Sequence, residues 1–233
     1  MLDLMLPPRC LTCEAPVREQ GQLCGKCFGR ISFIVDPVCT RCGVPFSSGP
    51  NRVCPDCETS PPVFGCARGA LRYDLAGREL LLPFKHADRT DLAQVLARHM
   101  ARAGAALIES ADVLVAVPLH RRRLFRRRYN QAALLARSIT RLSGKPALLD
   151  ALVRTLPTPA LEQKSAAERE LAVGNAFAFR RARSVEGRRV LLIDDVMTSG
   201  ATTNACARVL LAAGAVGVDV LVAARVPSPR GGP

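Results

Sequence analysis

From residue 64 onward, short apolar runs alternate with longer segments in which apolar residues recur every three or four positions. The short runs predict a strand or a hairpin over 64–74 and strands over 112–119, 175–179, 189–194 and 216–224. The longer segments predict helices over 88–108, 130–144, 167–174 and about 202–213. Asp91 and Asn130 are expected to cap two of these helices at their N-termini, and Gly144 and Gly214 to end two of them.

The strands over 112–119, 189–194 and 216–224 are apolar almost throughout, which indicates burial on both faces. Apolar strands that alternate with helices form a parallel sheet flanked by helices, so the sequence predicts an α/β fold. In such sheets, ligands bind beyond the carboxyl ends of the strands. Two of the predicted ends are unusual, the one at Pro118 and the one at Asp194.

The first quarter of the chain contains eight of the ten cysteines, arranged as four C-x-x-C pairs at near-even intervals. Two such pairs supply a tetrahedral Cys₄ zinc site, so we expect two structural zinc ions. A disulfide framework needs an oxidising compartment, and a thioredoxin-like motif needs a preceding βαβ strand; the sequence supports neither. Spacing leaves open whether neighbouring or interleaved pairs share an ion. The predicted ligands are Cys10, Cys13, Cys24, Cys27, Cys39, Cys42, Cys54 and Cys57. We therefore expect a small zinc-ribbon module over residues 1–62 and a second domain over residues 63–233.

Charge and composition narrow the class of partner. The chain has 33 Lys and Arg against 20 Asp and Glu, a formal net charge of +13, which favours a polyanionic partner. Aromatic residues make up 4%, a small supply for stacking bases, so contact through phosphates is the expected mode of nucleic-acid binding. We identify no secretory leader and no apolar stretch long enough for a membrane span, and we expect a cytoplasmic protein without membrane insertion.

Residues 190–203 read VLLIDDVMTSGATT, a buried strand followed by two carboxylates and a loop of small residues. The loop offers successive N–H groups and leads into a helix N-terminus, which together form an anion cradle. The carboxylates suit hydroxyl groups or a divalent cation beside that anion. A sugar phosphate meets both requirements; the alternative is a capped helix after a strand, without a ligand.

Residues 117–131 read VPLHRRRLFRRRYNQ and contain six arginines just beyond a predicted strand end. A solvated basic face is one interpretation. The position favours a second one, in which Leu119, His120 and Arg121 approach a pyrophosphate group. The remaining arginines would then be available to nucleic-acid phosphates: Arg122, Arg123, Arg126, Arg127 and Arg128.

The segment VLLIDDVMTSGATT resembles the phosphoribosyl pyrophosphate (PRPP) signature of type I phosphoribosyltransferases. By this resemblance, Asp194 and Asp195 would hold the ribose hydroxyls, and Mg²⁺ would bridge the ribose and the pyrophosphate. The 5-phosphate would be held by the loop formed by Thr198, Ser199, Gly200, Ala201 and Thr202.

The order of four C-x-x-C pairs, a strand with VPLH, an arginine run with YNQA and the PRPP signature resembles the ComF/GntX family. These competence-associated proteins combine a double zinc ribbon with a phosphoribosyltransferase domain. The resemblance implies a PRPP-binding protein of transforming-DNA uptake that contacts single-stranded DNA and has DNA-uptake proteins as further partners. Family members often read RGFNQ where this chain has Arg128 in place of the glycine. Two alternatives remain: an active phosphoribosyltransferase with an unidentified acceptor, and a PRPP-sensing regulator without catalysis. No catalytic residue is assigned.

Overall fold

The computed structural model describes residues 7–86, 89–156, 174–180 and 184–227, and the helix predicted over 167–174 lies almost wholly outside them. The strands are β1 Ala67–Arg72, β2 Val113–Ala116, β3 Ala147–Leu148, β4 Leu152–Arg154, β5 Phe177–Phe179, β6 Arg189–Met197 and β7 Gly217–Arg225. The helices are α1 Gly25–Gly29, α2 Pro55–Thr59, α3 Leu75–His86, α4 Leu92–Ala103, α5 Ala105–Ser110, α6 Arg121–Arg127, α7 Gln131–Ser143 and α8 Ala201–Ala212.

A five-stranded parallel sheet in the order β1-β7-β6-β2-β3 forms the centre of the molecule. Because parallel crossovers are right-handed, α4 and α7 pack on one face of this sheet and α8 on the other. The predicted α/β class, a parallel sheet flanked by helices, is therefore confirmed. Strands β4 and β5 form a separate antiparallel pair.

The core lies where the central strands meet the helices. All four residues of β2 are buried, as are Val190 to Ile193 of β6. The helix predicted over 88–108 is divided into α4 and α5 at Gly104. A Cβ atom at Gly104 would lie 2.6 Å from the Leu221 side chain, so a glycine lets this helix end pack directly on β7.

Strand β6 is longer than predicted. Its partner β2 stops at Ala116, opposite Ile193, whereas β7 stays paired with β6 as far as Met197. Asp194 and Asp195 therefore lie within the strand, at the point where it loses its neighbour on one side. The acidic pair is consequently open toward the carboxyl end of β2.

The cysteine-rich module is joined to the sheet through β1. The Ile34 N–H donates to the Ala70 carbonyl oxygen at 2.9 Å, and the Arg72 N–H to that of Ser32 at 2.8 Å. Phe33 pairs antiparallel with Leu71. This segment of the module thus covers the free edge of β1. No helix within the described part of the chain is long and apolar enough to cross a membrane.

Candidate functional site

The loop between β6 and α8 encloses a pocket at the carboxyl edge of the sheet. The pocket is lined by Asp194 and by residues 196–203, which include all five residues predicted to hold the 5-phosphate. Gly200 has φ of +82°, and a Cβ there would lie 3.1 Å from the Met197 methyl group. The Thr203 hydroxyl donates to the Gly200 carbonyl oxygen at 2.8 Å. The glycine and this hydrogen bond shape the turn that opens α8 below the pocket.

The two carboxylates of the acidic pair have different surroundings. The Asp195 N–H donates to Asp194 Oδ1 at 2.8 Å. Burial and the adjacent Asp195 raise the pKa of the Asp194 carboxyl to about 7. Asp195 lies outside the pocket lining and forms an ion pair with Lys85 at 3.3 Å, in which both side chains are less than a fifth exposed (16% and 14%). A raised pKa and a paired carboxylate beside an anion loop are typical of a ligand site.

Sequence reasoning missed Lys85, because α3 contains Pro83 and was not predicted as a helix. The YNQ segment, residues 129–131, holds the end of α3 through side-chain hydrogen bonds. The Tyr129 hydroxyl donates to the Phe84 carbonyl oxygen at 2.7 Å, and Gln131 Nε2 to that of Lys85 at 3.4 Å. Asn130 accepts from the Ala132 N–H, as a predicted N-cap should, and Nδ2 donates to the Val117 carbonyl oxygen at 3.0 Å. These three residues therefore link α3, β2 and α7 around the acidic pair.

The predicted pyrophosphate loop, Leu119 to Arg121, follows β2 and leads into α6, and none of its residues lines the pocket. His120 caps α6, with Nδ1 accepting from the Arg122 N–H at 3.3 Å. The backbone of His120 also pairs with Arg154, a buried residue of β4 that sequence reasoning missed. Burial lowers the pKa of Arg154, as does Arg123, while Asp194 opposes that shift. Arg154 therefore interacts electrostatically both with Asp194 of the acidic pair and with Arg123 of the arginine-rich helix.

The arginine-rich segment forms α6 and its left-handed end at Arg128. Arg121, Arg122 and Arg128 are exposed, and Arg123 and Arg127 are partly buried; Arg126 also belongs to this helix. Phe125 is 91% exposed. The helix thus presents several cations and one aromatic ring on the same short element.

The eight predicted zinc ligands form two clusters made of neighbouring pairs. The first contains Cys10, Cys13, Cys24 and Cys27; the second contains Cys39, Cys42, Cys54 and Cys57, and in each the sulfur atoms all lie within 4.8 Å of one another. The pairing that spacing left open is thus between neighbours. Burial alone would raise the pKa of the Cys39 thiol, but N–H groups of Cys42 and Cys54 lower it to about 7, and similar bonds lower that of Cys10 to about 6. Four convergent sulfurs with N–H donors fit structural zinc, whose chemistry is to hold these turns together.

Comparison with known proteins matches residues 1–58 to the double zinc ribbon domain. The DNA utilization protein YhgH of Escherichia coli K12 is 30% identical over 225 residues, covering 93% of this chain and 96% of the relative. The competence protein ComFC of Bacillus subtilis 168 is 29% identical over 205 residues, covering 85% of this chain and 81% of the relative. Among solved structures, the glutamine PRPP amidotransferase of B. subtilis is 23% identical with a TM-score of 0.42, covering 61% of this chain and 30% of that one.

The chain thus combines a double zinc ribbon with an α/β domain whose sheet edge holds an acidic pair and a pocket lined by the loop between β6 and α8. The match to YhgH spans nearly the full length of both proteins. The protein belongs to the ComF/GntX family, which the order of its sequence motifs resembled.

Proposed function

We propose that the protein binds PRPP with Mg²⁺ and works in the use of incoming DNA, where it contacts single-stranded DNA. The observation that carries the PRPP part is the pocket that brings Asp194 together with residues 198–202. The loop supplies N–H groups for the 5-phosphate, Asp194 and Asp195 supply acceptors for the ribose hydroxyls, and Mg²⁺ neutralises the pyrophosphate. In this proposal, residues 63–233 bind PRPP and residues 1–62 form the ribbon.

The DNA part rests on two supports. Relatives over most of the chain are named for DNA utilization and for competence. Helix α6 adds exposed arginines, which neutralise phosphates, around an exposed Phe125 ring, which offers a face to an unpaired base.

Calorimetric titration with PRPP and Mg²⁺ tests the ligand. We expect saturable binding by the zinc-loaded protein and its loss in the Asp194→Asn/Asp195→Asn variant. The matched control is Asp112→Asn, because Asp112 accepts from the Arg189 N–H at the opposite end of β6. Absence of binding by the folded wild type, or equal binding by the double variant, would contradict the proposal. If PRPP binds, pyrophosphate release is then measured with candidate acceptors. Release identifies an active phosphoribosyltransferase, and binding without release identifies a PRPP sensor.

A salt series of single-stranded DNA binding tests the partner. We expect Arg122→Ala to weaken DNA binding. We also expect it to reduce the slope of log affinity against log salt concentration by about one, because one phosphate contact is lost. Arg98→Ala is the control, since Arg98 is an exposed arginine on a different helix, α4. Equal effects of the two substitutions would mean that net charge, and not α6, determines DNA binding.

A further inference from the structure

The buried side chain of Arg225, the last residue of β7, lies between the second zinc cluster and the phosphate loop. On one side, Nε donates to the Cys42 carbonyl oxygen at 3.1 Å, and Nη2 lies 3.6 Å from Cys42 Sγ. On the other side, Nη1 donates to the Thr198 carbonyl oxygen at 2.5 Å and to that of Met197 at 3.3 Å. One guanidinium group therefore contacts both a zinc ligand and the anion cradle.

These contacts fix the direction of the loop N–H groups. In a planar trans peptide, the carbonyl and the following N–H point in opposite directions. Since Arg225 holds the Thr198 carbonyl from inside the protein, the Ser199 N–H points away from Arg225. The same argument applies to the Met197 carbonyl and the Thr198 N–H. These two N–H groups belong to exposed residues of the pocket lining, where an anion is expected.

The zinc side of the contact is equally constrained. The Ala67 N–H of β1 donates to the Arg41 carbonyl oxygen at 2.7 Å. Gly43 has φ of +67°, and a Cβ there would lie 2.5 Å from the Ala67 carbonyl oxygen, so only glycine allows this approach. The second cluster therefore cannot change shape without moving either β1 or Arg225.

The first cluster is attached elsewhere. Arg30, just after α1, forms an ion pair with Glu79 of α3 at 3.0 Å, and Gly21 approaches Val95 of α4. Among the described residues, we find no hydrogen bond or ion pair between the first cluster and residues 197–203. Its Cys13 is exposed, whereas all four cysteines of the second cluster are buried.

We propose that Arg225 is a positioning residue that couples the second zinc site to PRPP binding, so that this zinc ion preorganises the phosphate loop. This inference rests on the proposed PRPP site and adds a role for the ribbon that its structural zinc does not by itself imply. Because coupling free energies are reciprocal, bound PRPP must also raise the zinc affinity of the second site, which we expect to appear as slower zinc loss there, and leave the first site unaffected.

The wild-type protein tests this with a zinc-selective chelator. We expect zinc release in two phases, the faster from the more exposed first site. Amide exchange of residues 198–204 should accelerate about tenfold only after the slower phase, while exchange of β2 stays unchanged. PRPP with Mg²⁺ should slow only the slower phase, by at least about fivefold. An amide-exchange rate of residues 198–204 that does not change when the second zinc ion is lost would overturn the inference.

Two variants locate the coupling. Arg225→Lys retains the charge but loses the fork that reaches both sides, and we expect about tenfold weaker PRPP binding and faster loop exchange with both zinc ions bound. Arg41→Lys is the control, since Arg41 donates to the Pro62 carbonyl oxygen but does not reach the loop. PRPP binding by Arg225→Lys that equals wild type would refute the coupling. If Arg225→Lys does not fold, the chelator experiment decides. If wild type binds no PRPP, the proposed function fails, and loop exchange alone decides this inference.

Discussion

Burial and the neighbouring Asp195 raise the pKa of the Asp194 carboxyl to about 7 from its ordinary value of 3.8. Between these two values the folded protein binds more protons than the unfolded chain, so the free energy of unfolding falls as pH rises, and the loss is complete above about pH 7. We expect Asp194→Asn to abolish PRPP binding yet to stabilise the protein at pH 8 by about 1–3 kcal/mol. That corresponds to about 2–4 °C in melting temperature per kcal/mol. Thermal melts of both proteins at pH 5 and pH 8 check this; a difference that does not grow with pH would contradict it.

Arg128 has φ of +64°, in the left-handed region that favours glycine. The family pattern that the chain resembles often has glycine here, and the backbone of Arg128 has a conformation that glycine adopts readily. Arg128→Gly should therefore be more stable than Arg128→Ala by about 1 kcal/mol, because both lose the same side chain and only alanine retains the strain. Melting temperatures of the two variants compare the backbone effect directly. Equal stabilities would contradict this, since the strain would then not exceed the extra conformational entropy that glycine loses on folding.

At the scale of the element, the proposed DNA contact assigns to α6 a preference for single-stranded over duplex DNA. Phe125 is 91% exposed among arginines, although the low aromatic content of the chain predicted contact through phosphates alone. Stacking on one base contributes about 1–3 kcal/mol, so Phe125→Ala should weaken single-strand binding about five- to a hundredfold and leave duplex binding unchanged. Fluorescence anisotropy with single- and double-stranded oligonucleotides measures both. Leu75→Ala, at a residue that is 72% exposed on α3, is the control for a lost apolar surface. A parallel loss for both forms of DNA would exclude stacking.

The elements that could be predicted from the sequence are those with a strong local signal. The apolar strands β2, β6 and β7 and the capped helix α7 follow from periodicity, Asn130 and Gly144, and the C-x-x-C spacing predicted both zinc clusters. Helix α3 was not predicted because Pro83 interrupts its helical pattern of apolar residues. The β4–β5 pair was missed because three-residue strands are too short to show an alternation of apolar and polar residues. Lys85 was missed together with α3. Arg154 and Arg225 were missed for another reason: each is one of many basic residues, and only the tertiary fold brings it close to Asp194 or to the loop between β6 and α8.

At the scale of the whole molecule, the ribbon completes the sheet as well as binding metal. Residues 32–34 pair with the outer side of β1, and the Arg225 guanidinium joins Cys42 to the loop between β6 and α8. An unpaired strand edge is a template for association with other chains. The ribbon therefore covers this edge and is expected to protect it, which gives a physical reason for the two units to occur in one chain.

Removal of residues 1–58 tests this protective role. The shortened chain would leave the Ala70 carbonyl and the Arg72 N–H of β1 without their partners and would free Arg225 from Cys42. We expect it to associate with rising concentration, as measured by light scattering coupled to size exclusion, because the exposed edge can pair between chains. The Cys10→Ser/Cys13→Ser variant is the control: it loses the first zinc site but retains residues 32–34 on the edge, so its assembly state should match that of the intact protein. A shortened chain that keeps the assembly state of the intact protein across concentrations would show that β1 needs no cover. Association of the control as well would place the protection in the first zinc site instead.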